Sequence, residues 1–215
     1  GLKIVGYDNH LRAVFDKLPE PPPRGTKGAD RITVFEDANG DGTYETHRDV
    51  ITGLNLATAA IKGDGGIWVL NPPYLLFYPD ADDNDVPDGD PKVCLSGFGL
   101  EDTHSVANSL QLGPDGWVYG AVGSTTTGNV SSRVTKNIKF VGQHIWRYHP
   151  KTEVFEIFAE GGGNTFSLEI DAQGRVFSGT NFPQRGMHYD QGMHGYKWFG
   201  KHGVPDNPYA FGYFD

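Results

Sequence analysis

The sequence predicts an all-β fold of short antiparallel strands, and three observations carry that expectation. Glycine and proline are abundant, 30 and 14 of 215 residues, which favours many tight turns over long helices. Hydrophobic residues make up 37% and aromatics 13%, enough to bury a core rather than leave the chain disordered. A turn followed by a short strand recurs three times, as Asp64-Gly65-Gly66-Ile67-Trp68-Val69, Asp115-Gly116-Trp117-Val118-Tyr119-Gly120 and Gln173-Gly174-Arg175-Val176-Phe177-Ser178. The anchoring glycines Gly65, Gly116 and Gly174 stand 51 and then 58 residues apart. At such turns glycine reaches positive φ without a Cβ clash.

A strand precedes each turn, at 57–61, 108–112 and 166–170. An aromatic-rich strand stands near each unit, at 32–35, 75–78 and 145–148, and a further strand follows two of them, around 93–95 and at 154–158. About four short strands per unit of roughly 40–60 residues is the signature of propeller blades; the alternative is a β-sandwich whose hairpins happen to look alike. The chain holds about three to four blades, whereas propellers close with about 4–8. Residues 31–215 therefore read as one incomplete β-propeller domain. Its open strand edges invite pairing with the remainder of a longer chain or with another subunit. Residues 1–30 read as an N-terminal arm or partial strand, with the Pro19 to Pro23 cluster an extended connector.

Charge and motifs exclude several classes. Eighteen Lys and Arg against 27 Asp and Glu give a net charge of -9, opposite to that of a nucleic-acid binder. No run of 18 apolar residues predicts a membrane span, and the first residues are too briefly apolar for a signal peptide. The single cysteine, Cys94, forbids an intrachain disulfide and a Cys-x-x-Cys metal or haem motif. Neither a Gly-x-Ser-x-Gly elbow nor a P-loop is present.

Two acidic loops follow aromatic strands. Asp37, Asn39, Asp41 and Glu45 in the first, and Asp80, Asp82, Asn84 and Asp88 in the second, fall at relative positions 1, 3, 5 and 9, the opening of a calcium loop whose alternate oxygens converge on one ion. Position 12 holds Arg48 in the first and Pro91 in the second. The competing reading is an acidic hairpin tip held by Asx-turns. Elsewhere, His188, His194 and His202 lack a ligand spacing and read as loop residues. Tyr189, Tyr196 and Trp198 suit either a sugar-stacking surface or internal packing. Residues 124–129 read as a polar loop, followed by the glycosylation triplet Asn129-Val130-Ser131.

The stretch from Glu101-Asp102-Thr103-His104 through Asn108-Ser109-Leu110 to Gly113-Pro114-Asp115-Gly116-Trp117-Val118-Tyr119-Gly120 resembles the soluble quinoprotein glucose and sorbosone dehydrogenases. It is closer still to the planctomycete "membrane-bound dehydrogenase" propeller proteins, which also carry loops like 37–42 and segments like 200–203 and 207–214. The resemblance covers about residues 29–215. It implies a six-bladed propeller binding pyrroloquinoline quinone (PQQ), in a periplasmic or extracellular oxidoreductase acting on a sugar or alcohol. His104 matches the base that takes the hydroxyl proton, a task suited to imidazole, and Asn108, Gly163 and Asn164 fall where the cofactor would lie. The family's Arg-Asn pair is here Gly163-Asn164, so the arginine facing the quinone is missing. A non-catalytic propeller serving as a scaffold or binding subunit of a larger assembly is the alternative.

Overall fold

The computed structural model describes residues 18–124, 126–180 and 186–197, together with the backbone of 2–7 and 10–15. Its regular elements are all strands: β1 Leu2–Tyr7, β2 His10–Phe15, β3 Asp30–Glu36, β4 Thr46–Leu54, β5 Ala59–Lys62, β6 Gly66–Asn71, β7 Tyr74–Pro79, β8 Lys92–Phe98, β9 Ala107–Leu112, β10 Val118–Val122, β11 Thr127–Ser131, β12 Ile138–Val141, β13 His144–Tyr148, β14 Phe155–Gly162, β15 Thr165–Ile170, β16 Val176–Thr180, β17 Met187–Tyr189 and β18 His194–Lys197. The all-β expectation holds. Among the described residues no helix is long and apolar enough to cross a membrane.

The turns form as the glycines require. Asp64 and Gly65 both take positive φ, 54° and 77°, closing β5 and β6 with a two-residue turn. The other two loops are one residue longer. Gly116 N–H donates to the Gly113 carbonyl at 3.0 Å and Gly174 N–H to that of Asp171 at 2.9 Å, with φ of 80° and 79° at the two glycines.

Besides the β1–β2 pair, four sheets follow one another along the chain. Sheet I is β3–β4. Sheet II is the meander β5–β6–β7–β8, extended beyond β8 by β11 and β12. Sheet III is β9–β10–β13–β14, with β18 added parallel to β14, and sheet IV is β15–β16–β17. Ile51 and Leu54 of sheet I pack on Ile67, Val69 and Leu76 of sheet II. The opposite face of sheet II sets Trp68, Leu95 and Phe98 against Leu110, Trp146 and Phe155 of sheet III. Sheet III turns Tyr119, Ile145 and Phe158 towards Leu168, Val176 and Tyr189 of sheet IV. Successive residues of β6 and β10 thus enter different cores, which is why these strands read as continuous apolar runs rather than alternating ones. Each large side chain buried this way stabilises the fold by about 1.5–3 kcal/mol.

The first strands of sheets II, III and IV lie side by side, β5 against β9 and β9 against β15. A repeated bond ties them. Thr58 Oγ1 donates to the Ala107 carbonyl at 2.7 Å, and Asn108 Nδ2 donates to the Thr165 carbonyl at 3.1 Å. Counted from the turn that follows, Thr58 and Asn108 hold equivalent positions, as do Ala107 and Thr165.

Several sequence expectations need correction. Ala57 and Thr58 precede β5 rather than open it, because their N–H groups go to Asp30 Oδ2 and the Leu70 carbonyl. The cluster at 19–23 is not simply extended: the Pro21 carbonyl accepts the Arg24 and Gly25 N–H groups, making a turn. Residues 1–30, read as an arm or partial strand, contain the antiparallel pair β1–β2. The polar loop at 124–129 ends in β11, which pairs with β8 and β12. His188 and His194 stand within β17 and β18 rather than in loops. Tyr189 is 1% exposed and shares a hydrogen bond with Ser178 Oγ, so it packs internally. Trp198, His202 and the side chain of Tyr196 lie outside the described residues.

Candidate functional site

The loops 99–106, 123–126, 142–143 and 163–164 meet at one end of sheets II, III and IV. Asn164 Oδ1 accepts the Ser124 N–H at 2.8 Å, and Ser105 Oγ and Thr126 Oγ1 stand 3.4 Å apart. Gln143 N–H donates to the Gly123 carbonyl at 3.0 Å, and Gly161 N–H to that of Gln143 at 2.8 Å. These bonds join the four loops into one polar junction.

His104 projects from the 99–106 loop with its side chain 95% exposed. Its backbone N–H donates to Asp102 Oδ1 at 3.1 Å, and its Nδ1 lies 3.5 Å from the same oxygen. Asn108 is 4% exposed and its amide is fully employed. Nδ2 donates to the Val106 and Thr165 carbonyls, and Oδ1 accepts the Ser109 hydroxyl. Gly163 is buried.

PQQ, with three carboxylates, needs cations and free donors. Asn108 has no free donor, and the Asn164 oxygen is taken by Ser124. Lys197, in register with Gly162, gives its Nζ to Glu160 at 3.1 Å and the Val141 carbonyl at 3.4 Å. The described residues at this junction do not fit that cofactor.

Sequence reasoning missed His144, which lies behind this junction. It is fully buried, its Nδ1–H donates to the Gly142 carbonyl at 3.1 Å, and Phe140 meets its ring edge-on. Its Nε2 is a buried side-chain polar atom without a hydrogen-bond partner among the described residues. Burial, more than any neighbour, pushes its pKa down to about 4. Only the register of β13, which puts His144 opposite Val122 and Glu160, reveals this setting.

The two acidic loops fold alike. The carboxylate at position 1 accepts backbone N–H groups from positions 5 and 6: Asp37 from Asp41 and Gly42 at 3.1 and 2.8 Å, Asp80 from Asn84 and Asp85 at 3.0 Å each. The carboxylate at position 9 accepts from position 2, Glu45 from Ala38 and Asp88 from Ala81. The amides, Gly42 foremost, hold the Asp37 carboxyl below the usual range.

The loops differ in their cation. Oxygens of Asp37, Asp41 and Glu45 lie within 4.8 Å of one another, while Asn39 Oδ1 accepts the Asp41 N–H. In the second loop Lys62 Nζ stands 3.5 Å from buried Asp80 and 2.7 Å from Asp83, and pairs with Asp85. Asp83 and Asp85 hold the Lys62 ammonium above the usual lysine range. Asp82 is occupied by Asn84 Nδ2. An ion in the second loop must displace Lys62. Arg48, at position 12 of the first loop, donates to the Asn84 carbonyl of the second at 2.7 Å.

Residues 13–200 match the family model described as a domain of unknown function (DUF7133). No curated protein matches the chain.

Proposed function

The chain belongs to the DUF7133 family, and from that premise we propose that it is part of a β-propeller that serves as a binding module of a larger assembly. The observation that carries this reading is the repeated link from Thr58 to Ala107 and from Asn108 to Thr165. It sets the first strands of three consecutive sheets side by side, as inner strands of blades are, and uses the asparagine that a quinone would need. Sheets II and III are covered on both faces. Sheet I leaves Phe35 58% exposed, with Tyr44 of its connecting loop 65% exposed, and sheet IV leaves Phe166 36% exposed, which supports further sheets on those faces, from a longer chain or another subunit. Resemblance alone supports a periplasmic or extracellular setting.

A quinoprotein-type oxidoreductase of sugars or alcohols is the second reading, favoured by the exposed His104 imidazole held beside the Asp102 carboxylate, a residue type suited to general-base chemistry. One experiment separates the two. PQQ is added with Ca²⁺ and the visible spectrum is followed, then sugar-dependent dye reduction. The binding-module reading expects neither signal. A saturable spectral change, with dye reduction that His104→Gln abolishes, overturns it.

Calcium is proposed for the first loop alone, as a brace of the β3–β4 turn. Three side-chain oxygens gather there, supporting a hard ion, with no lysine among them. Adding Ca²⁺ at about 100 times its dissociation constant should stabilise the fold by ~2.7 kcal/mol. Asp37→Asn should remove that gain, whereas Lys62→Met should not. An unchanged Tm in Ca²⁺ refutes the brace.

A further inference from the structure

We propose that the cavity between sheets I and II is a binding site for a neutral polyhydroxylated small molecule, a saccharide unit or polyol, with Asn71 and Tyr78 as its hydrogen-bonding residues. The cavity measures about 740 Å³, within the range of small-molecule sites. Sheets I and II form two of its walls, and the segment 19–27 crosses it. The Tyr74 hydroxyl donates to the Pro19 carbonyl and fastens that segment in place.

The polar groups of the lining decide the ligand class. Asn71 is 4% exposed and Tyr78 6% exposed, and both line the cavity. Asn71 Oδ1 accepts the Asn55 N–H at 3.0 Å, which fixes the amide and leaves Nδ2 without a partner among the described residues. The Tyr78 hydroxyl likewise has none, and burial, with the Asp90 charge adding to it, pushes its pKa up to about 12. A purely apolar occupant would cover these donors and leave them unpaired, which is costly, whereas hydroxyl groups satisfy them. Pro72, Pro73 and Tyr74 supply apolar surface for the C–H faces of such a molecule. At the rim Glu20 and Asp90 outnumber Lys27, which disfavours anions such as phosphate esters. Leu100 and Thr103 of the loop that carries His104 also line the cavity, whereas His104 itself does not, and a failure of glucose binding here leaves the binding-module reading untouched.

The test is a ¹⁵N–¹H titration of the whole chain with D-glucose, followed at the Asn71 side-chain amide. A saturable shift of that amide is expected, with glucose 6-phosphate, cyclohexanol and an acetylated tetraproline amide each binding roughly tenfold more weakly or not at all. Tyr78→Phe removes a hydroxyl with no partner among the described residues, so Tm should hold or rise while glucose binding weakens roughly 3- to 10-fold. Asn71→Asp keeps an oxygen for the Asn55 N–H and removes the donors, and should weaken binding at least as much. The proposal is overturned if the Asn71 amide does not respond at roughly 50 mM glucose, a concentration far above a millimolar dissociation constant. It is equally overturned if folded Tyr78→Phe binds glucose as the parent does, or if cyclohexanol or the proline peptide binds as tightly as glucose.

Discussion

Among the described residues nothing pairs with His144 Nε2, and the burial of that nitrogen makes it a source of pH dependence. Of the charged groups beside it, Glu160 favours an imidazolium and Lys197 opposes one; the two pair with each other, and burial outweighs both. The unfolded histidine takes its proton near pH 6.5, the folded one only near pH 4. Its contribution is therefore complete above about pH 6.5, declines as pH falls, and is lost below about pH 4, a loss on the order of 3 kcal/mol. Urea unfolding at pH 7 and pH 5 should show the parent losing stability while His144→Phe, which lacks the titrating nitrogen, loses much less. Equal losses in both proteins refute the assignment. Asn108 is the other residue whose role its neighbours decide. Asn108→Ala strands two carbonyls and should lower stability by about 1–3 kcal/mol, measured as a lower urea midpoint at unchanged slope. No change would mean that the link between β9 and β15 contributes nothing.

At the scale of the element, what the sequence disclosed follows from how local each pairing is. The hairpins β5–β6, β9–β10 and β15–β16 were legible because an Asp-Gly or Gln-Gly turn and both flanking strands fall within about 20 residues. Strands β11, β12 and β18 were not. β11 joins the sheet that precedes its own neighbours in the chain, and β18 lies parallel to β14, and no local turn announces either pairing. The acidic loops were legible in spacing and even share their hydrogen bonds, yet Lys62, which answers the charge of the second, enters from the end of β5. Asn108 was singled out by resemblance, but its partner, the Thr165 carbonyl, lies 57 positions on. Gly120 tests the packing of elements directly. A Cβ there would overlap the Trp146 ring, between fixed strands β10 and β13. Gly120→Ala should therefore cost about 1–3 kcal/mol by overpacking, lowering Tm. A neutral effect would show that the strands can part without penalty.

Across the whole molecule, stability should be graded by how many faces each sheet buries. Residues of β6, β10 and β13 are buried throughout, because each of these strands sends side chains into two cores. Sheet I packs on one side only, and β3 carries no fully buried residue. Local opening exposes amides with a free energy that rises with the apolar surface that must be uncovered. Native-state hydrogen exchange should therefore find the slowest amides in β6, β10 and β13, close to the global unfolding limit. Amides of β3, and of β4 near Thr46, should exchange orders of magnitude faster. The order also separates two architectures. If sheets I and IV meet further sheets in the functional assembly, as the exposure of Phe35 and Phe166 suggests, β3 and β4 should gain protection there. The amides of β10, already covered on both faces, should stay as they are. Equal protection of β3 and β10 in the isolated chain would contradict the face-by-face account of the core, because no described residue covers the outer side of β3 to hold it closed.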